Sequence, residues 1–284
     1  MGQGVPHGGG DAVNPMVDGT PVYEYTLNGS QILVKREDLC CPYPGPSFSK
    51  IRGVFSHIAK RREDTIGVLD TYHSKAGWAV SYVCKYLGKK AVNYWPKYVA
   101  DSDDHLRGQQ KQAQALGADL ISLPAGRSFL LHHAAARHLR ENYPGSYLMP
   151  NALKLSESVT ENAEEARRTK LPPFGTVVIS ISSGTVAAGV MSGLMENGDY
   201  KFILHMGYDR PETAIRKYIG EMGSGHCQFD LINEKYNYKD EAPKGTVVPF
   251  PCNAHYDAKT WAWLSKPGVI ENLKPPVIFW NIGS

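Results

Sequence analysis

The chain has 284 residues, 42% of them hydrophobic and 21% charged, with a formal net charge of +3. These proportions describe a folded globular protein with a sizeable core and exclude a disordered chain. No stretch approaches the ~18 uninterrupted apolar residues of a membrane span, and so small a charge does not point to nucleic acid as a partner, although it does not exclude one.

In chain order, residues 1–10 are Gly-rich without an apolar h-region, so a flexible leader over residues 1–20 is expected rather than a signal peptide. Ile32-Leu33-Val34 is strand-like and runs through a Gly/Pro-rich turn to Lys50 and a helix start. Thr65–Leu69 reads as a short buried strand, and 76–86 as a helix ended by Gly88. Ala91–Trp95 is the next strand, stopped by Pro96, and a polar helix over 103–116 follows with Asp103 or Asp104 near its cap. A strand at 119–123 and a helix at 128–140 complete that series.

A second series has helices at 157–168, 186–195 and 257–264 and strands at 176–181, 201–205 and 277–280, with 227–245 less regular. Alternating strands and helices imply an α/β fold with mostly parallel sheets in two lobes around a cleft. The cysteines at 40, 41, 84, 227 and 252 match neither a disulfide framework nor a CxxC site, so no metal and a reducing, cytoplasmic setting are expected. Cys40 and Cys41 either line a site near Lys50 or are small apolar fillers.

Four places carry candidate chemistry. Lys50 sits between a turn and a helix among small and apolar neighbours, where burial would lower its pKa and leave a neutral amine able to form a Schiff base. A solvated lysine in an ordinary first turn fits the same pattern. Ser180–Gly189 runs a buried strand through a hydroxyl-rich turn with Gly184 into a helix, which aims several N–H groups at one spot and suits a phosphate. It is neither a Walker sequence nor GxGxxG, and plain N-capping by Ser and Thr is the alternative. Thr71–Ala79 joins a strand to a helix N-terminus, where N–H groups and Ser74 could hold a carboxylate, or Ser74 could simply cap the helix beside a loop His73. Tyr256-Asp257 precedes a helix and offers a phenol and a carboxylate, or packing and an N-cap.

Taken together, from about residue 30 onward the chain resembles the fold type II pyridoxal-phosphate enzymes, which include tryptophan synthase β, cysteine synthase and 1-aminocyclopropane-1-carboxylate deaminase. Lys35-Arg36-Glu37-Asp38 followed by Phe48-Ser49-Lys50-Ile51-Arg52 is similar to the family's K-x-E-D … F-K-x-R segment. Tyr256-Asp257-Ala258-Lys259 is similar to the Y-E-G-K of its deaminase and D-cysteine desulfhydrase branch, as is the ending around Gly283. The resemblance implies a three-layer α/β/α architecture, with residues 54–150 forming a smaller domain inserted into a larger one made of 21–53 and 151–284, and a homodimer. It implies pyridoxal 5′-phosphate held by Lys50, its phosphate in Ser183, Gly184, Thr185, Val186 and Ala187, and its ring nitrogen facing Asp257. Ser74 and Tyr256 would serve catalysis with Lys50, and His73, Ser74, Ala76 and Gly77 would bind substrate. Lys75 stands where the family commonly has Asn, so a second lysine would bind at the cofactor, as a proton carrier or a partner of its phenolate, or would point away.

The expected activity is that of a lyase or deaminase on a small-molecule amino acid. The altered 74–78 loop leaves open a decarboxylase or lyase acting on an amino acid attached to a larger molecule, such as a modified nucleobase in DNA. A catalytically silent relative serving as a partner subunit is the alternative of another class.

Overall fold

The computed structural model describes residues 14–71, 73–97, 106–224 and 227–283. Among these, a six-stranded sheet has the order β1 (Val22–Leu27), β2 (Ser30–Arg36), β10 (Val277–Asn281), β7 (Phe174–Ile181), β8 (Asp199–Met206) and β9 (Phe229–Ile232). Only the β1–β2 pair is antiparallel. A second, wholly parallel sheet has the order β5 (Asp119–Pro124), β4 (Lys90–Lys97), β3 (Thr65–Leu69) and β6 (Tyr147–Leu148).

Helices cover both faces of each sheet, and the period-two alternation of the strands explains how. In β7, Val177, Ile179 and Ile181 pack with α6 (Thr185–Met195) and α7 (Glu212–Ile219), while Val178 points oppositely toward α8 (Asp257–Leu264). β10 repeats the pattern, with Ile278 and Trp280 on one face and Val277 and Phe279 on the other. In the smaller sheet, Ile66 and Val68 meet α1 (Ile51–Ala59) and α2 (Ala76–Tyr86), while Leu69, Val92 and Tyr94 meet α4 (Ser128–Asn142). Each such side chain contributes about 1.5–3 kcal/mol by leaving water.

The structure amends several expectations. β1 went unread, although Asn28-Gly29, both at positive φ, is the hairpin turn that joins it to β2. β4 runs through Pro96 to Lys97 because β3 pairs with it only as far as Tyr94, so beyond that point a missing N–H is tolerated. α3 is described as Gly108–Ala115, and the expected caps Asp103 and Asp104 lie outside the described residues. Residues 16–20 are not part of a flexible leader, against the expectation for 1–20. Residues 1–13 lie outside the described residues, but Met16 and Thr20 are buried, and the Gly19 and Thr20 amides donate to Glu165 at 2.9 Å. α7 and β9 also went unread, the latter inside the segment taken as less regular.

One helix, α5 (Ser156–Arg168), organises the rest. Gly189 and Gly193, one turn apart on α6, pack so closely on it that an added Cβ would fall 2.4 Å from the Val159 carbonyl and 2.2 Å from that of Ala163. Gly53 of α1 lies equally close to Ser158. α5 also supplies Glu165 to a buried ion network. The Lys35 ammonium donates to Glu165 at 2.5 Å and to the Thr20 carbonyl at 2.6 Å, and Arg52 pairs with Glu37. Replacing Gly189 with Ala is expected to destabilise by about 1–3 kcal/mol through overpacking, and Arg52→Leu by about 3–5 kcal/mol because the buried carboxylates Glu37 and Glu165 are left to share Lys35. Urea unfolding of the purified variants measures both losses.

Candidate functional site

Strands of both sheets end at one cavity of about 590 Å³, the edge at which open α/β sheets bind ligands. Lys50, the N-cap of α1, reaches into it and donates to Ser183 Oγ at 2.9 Å and to the Ala152 carbonyl at 3.1 Å. Burial, together with the positive charges of Lys154 and Arg210, lowers its pKa from the ordinary 10.5 to about 7. Its place at a helix N-terminus acts in the same direction.

The turn from β7 into α6 forms one end of the cavity. Gly184 caps α6 in the left-handed region at φ +89, which glycine adopts without penalty. Ser183 Oγ and Thr185 Oγ1 lie 2.9 Å apart, and Thr185 Oγ1 meets the Tyr218 hydroxyl at 3.0 Å. Two cations flank this turn. Arg210 donates to the Ser182 carbonyl at 2.5 Å, and Lys154 lies 4.4 Å above the Tyr218 ring. Hydroxyls, helix N–H groups and cations around one point make an anion cradle. Val186 and Ala187 complete its wall.

Asp257 is buried at another part of the cavity and accepts the Ile282 amide at 3.1 Å. Burial pushes its pKa up to about 8 against the pull of Ile282 and Lys75. Lys75, the N-cap of α2, is pushed down to about 8 by burial, with Asp257 and Cys40 opposing the shift. Lys75 also lies 5.6 Å over the Trp78 ring.

Ser74 Oγ, one residue before the N-cap, accepts the Ala76 amide at 3.0 Å while lining the cavity with His73 and Ala76. Gly77 does not line the cavity. It faces Asn93, where an added Cβ would fall 2.0 Å from the side-chain amide. Tyr256 is half-buried, and desolvation raises its pKa well above the ordinary phenol range, with Tyr238 and Tyr208 adding to the shift. Its proton therefore stays on at neutral pH. The His73 and His255 rings stack 3.7 Å apart, and burial, His255 and nearby lysines push His73 down to about 4. Cys40 and Cys41 are buried fillers outside the cavity.

Several cavity residues had escaped the sequence reading: Lys154, Arg210, Tyr208, Tyr238 and the Asn151–Leu153 turn. Tyr238 is the most consequential, since its hydroxyl meets Thr71 Oγ1 at 2.7 Å and ties the 233–245 segment to the β3–α2 loop. Only Arg210 had a usable signal, as it follows the carboxyl end of β8.

A family model described as pyridoxal-phosphate dependent enzyme matches residues 13–211. The chain belongs to that family. A protein of Pseudomonas phage M6, named glycyl-dTMP PLP-dependent decarboxylase, is 60% identical over 278 residues, covering 94% of this chain and 99% of that protein. A solved structure of an ACC deaminase homologue superposes with a TM-score of 0.79 at 16% identity, covering 96% of this chain and 91% of that one. The L-serine ammonia-lyase of Rhizomucor miehei gives 0.65 at 16%, covering 95% of each chain. These two likenesses bear on fold, and they agree with the mixed α/β architecture of largely parallel sheets.

The residues present fit pyridoxal phosphate. The cavity offers a buried amine poised near neutrality, an anion cradle within hydrogen-bonding reach of it, and a buried carboxyl whose raised pKa a ring N–H would lower. Capture of the cofactor by the apoenzyme needs the neutral amine, so its rate should rise with pH through about 7 rather than near 10.5. Lys154→Ala should move that midpoint upward by removing a positive neighbour. Stopped-flow absorbance across a pH series reads both.

Proposed function

We propose that this enzyme is a decarboxylase that removes CO₂ from a glycyl group carried on a pyrimidine nucleotide. The observation that carries this is the 60% identity, over nearly the whole of both chains, to a protein named for that reaction. Decarboxylation is itself a carbon–carbon lyase reaction. The deaminase reading rests on likeness of fold.

When bound, pyridoxal phosphate supplies an electron sink for the bond being broken. The chain's residues do the rest. The turn at 183–187, with Lys154 and Arg210 beside it, holds the phosphate. Asp257 would keep the ring nitrogen protonated, and Lys75, which lines the same cavity, would balance its charge. Lys50 would hold a proton on Nζ and supply it to the α-carbon in place of the CO₂ that leaves. Ser74 would orient the carboxylate through its hydroxyl, and Tyr256 would offer a second proton store at its own. Tyr238 across Thr71 limits water at this end of the cavity. Residues 54–150 acting as a domain inserted between 21–53 and 151–284, and association as a homodimer, belong to the same proposal.

The test is direct. Purified enzyme loaded with pyridoxal phosphate should absorb near ~410–420 nm, the usual band of the lysine-bound cofactor, and borohydride should fix the cofactor on Lys50. With glycyl-dTMP it should release CO₂ and leave a primary amine on the nucleotide. Lys50→Ala should lose about 10²–10⁴-fold or more in rate, as expected when the proton donor is removed. Release of ammonia with the carboxylate retained would sink the decarboxylase reading in favour of deamination.

A further inference from the structure

The cavity extends beyond the cofactor cradle. Its remaining wall includes Leu69, Pro96, Gly126, Ser128, Leu131 and Asn151. These come from the carboxyl ends of β3 and β4, the β5–α4 loop, the start of α4 and the turn at Asn151–Leu153. None carries a charge. Leu69 and Leu131 are buried, while Ser128 and Asn151 join α4 to that turn through hydrogen bonds of 2.8 and 3.1 Å. A small free amino acid has no use for such a wall.

We propose that this wall is a pyrimidine-nucleotide subsite, a reading that rests on the glycyl-nucleotide function above. An uncharged slot of leucine and proline suits the faces of a ring. The Asn151 carboxamide holds Ser128 Oγ with both its donor and its acceptor, and a thymine or uracil edge, where N3–H lies beside a carbonyl oxygen, offers the complementary pair in place of that hydroxyl. Ser128, once displaced, frees a hydroxyl that serves as donor or acceptor. Outside the slot, Phe129 is 77% exposed and Leu130 61% exposed, next to the exposed Arg127. An apolar surface with a cation beside it suits a deoxyribose and its phosphate.

The subsite is also joined to the reacting lysine. Asn151 precedes Ala152 and Leu153, two non-glycine residues at φ +59 and +47. Backbone held in that region is strained and tends to sit at functional sites. Here the turn aims the Ala152 carbonyl at Lys50 Nζ, 3.1 Å away. A base bound by the Asn151 side chain is thus one residue from the carbonyl that positions the amine.

The experiment titrates the pyridoxal-phosphate-loaded enzyme with thymidine 5′-monophosphate and, separately, with a thymidine-containing single-stranded oligonucleotide. Neither probe carries a glycyl group, so both report the subsite without the reaction. Wild type should bind at least one of them more tightly than its deoxyadenosine counterpart. Asn151→Ala and Asn151→Asp should each weaken binding by about tenfold, the usual scale for losing a paired base contact, while the visible absorption of the bound cofactor stays unchanged. Binding of the mononucleotide makes a free nucleotide sufficient, and binding of the oligonucleotide alone makes a DNA strand the source of the base; both support the subsite. Equal affinity in wild type and both Asn151 variants, or equal affinity for the adenine probes, overturns it even if glycyl-dTMP is decarboxylated. Failure of wild type both to bind either probe and to decarboxylate glycyl-dTMP overturns the functional reading itself.

Discussion

The missing side chains of three glycines set the geometry on which this structure depends. Gly53 lets α1 lie against α5, and Gly189 with Gly193 lets α6 lie against the same helix. Both helices begin at the cavity, one at Lys50 and the other at Gly184. The shared platform therefore sets the distance between an amine and an anion cradle, and it brings Lys50 Nζ within 2.9 Å of Ser183 Oγ. Protein interiors transmit volume changes rather than absorb them, so a methyl group at these contacts would be felt at the site.

Buried charge is handled in two opposite ways. In the network of Lys35, Glu37, Arg52 and Glu165 every charge has an opposite partner within the protein, and the network ties β2, α1 and α5 together. Lys50 is buried among like charges, which is why its pKa falls to about 7. Asp257 is buried with one amide donor and a lysine nearby, and burial still raises it to about 8. A fold tolerates incomplete compensation of this kind where a ligand completes it. The phosphate would meet Lys154 and Arg210, and the ring nitrogen would meet Asp257.

Most of the fold was legible because its signals are local. Alternating β-branched runs such as 176–181 and helix ends at Gly88 and Gly117 depend on residues a few positions apart. Lys50, the 183–187 turn and Asp257 were legible for the same reason, since each lies at the junction of a strand or turn with a helix. β9 was missed because Phe229–Ile232 is short, partly exposed and set among turn residues. Tyr238 was missed because nothing near it in the chain marks it. Gly77 read as a site residue by its place beside Ser74, yet its Cα faces Asn93 across a helix–strand contact.

The sequence by itself determined the order of elements, the α/β class and the placing of an amine and a phosphate-type turn at the starts of two helices, because propensity, periodicity and capping act over a few residues. Tertiary structure alone decided that Lys75 and Asp257 line one cavity, that Tyr238 bonds to Thr71, and that Asn151 and Ser128 extend the cavity past the cofactor cradle. These contacts join residues far apart in the chain. They form only when α5 has gathered its neighbours and the carboxyl ends of both sheets open onto one space.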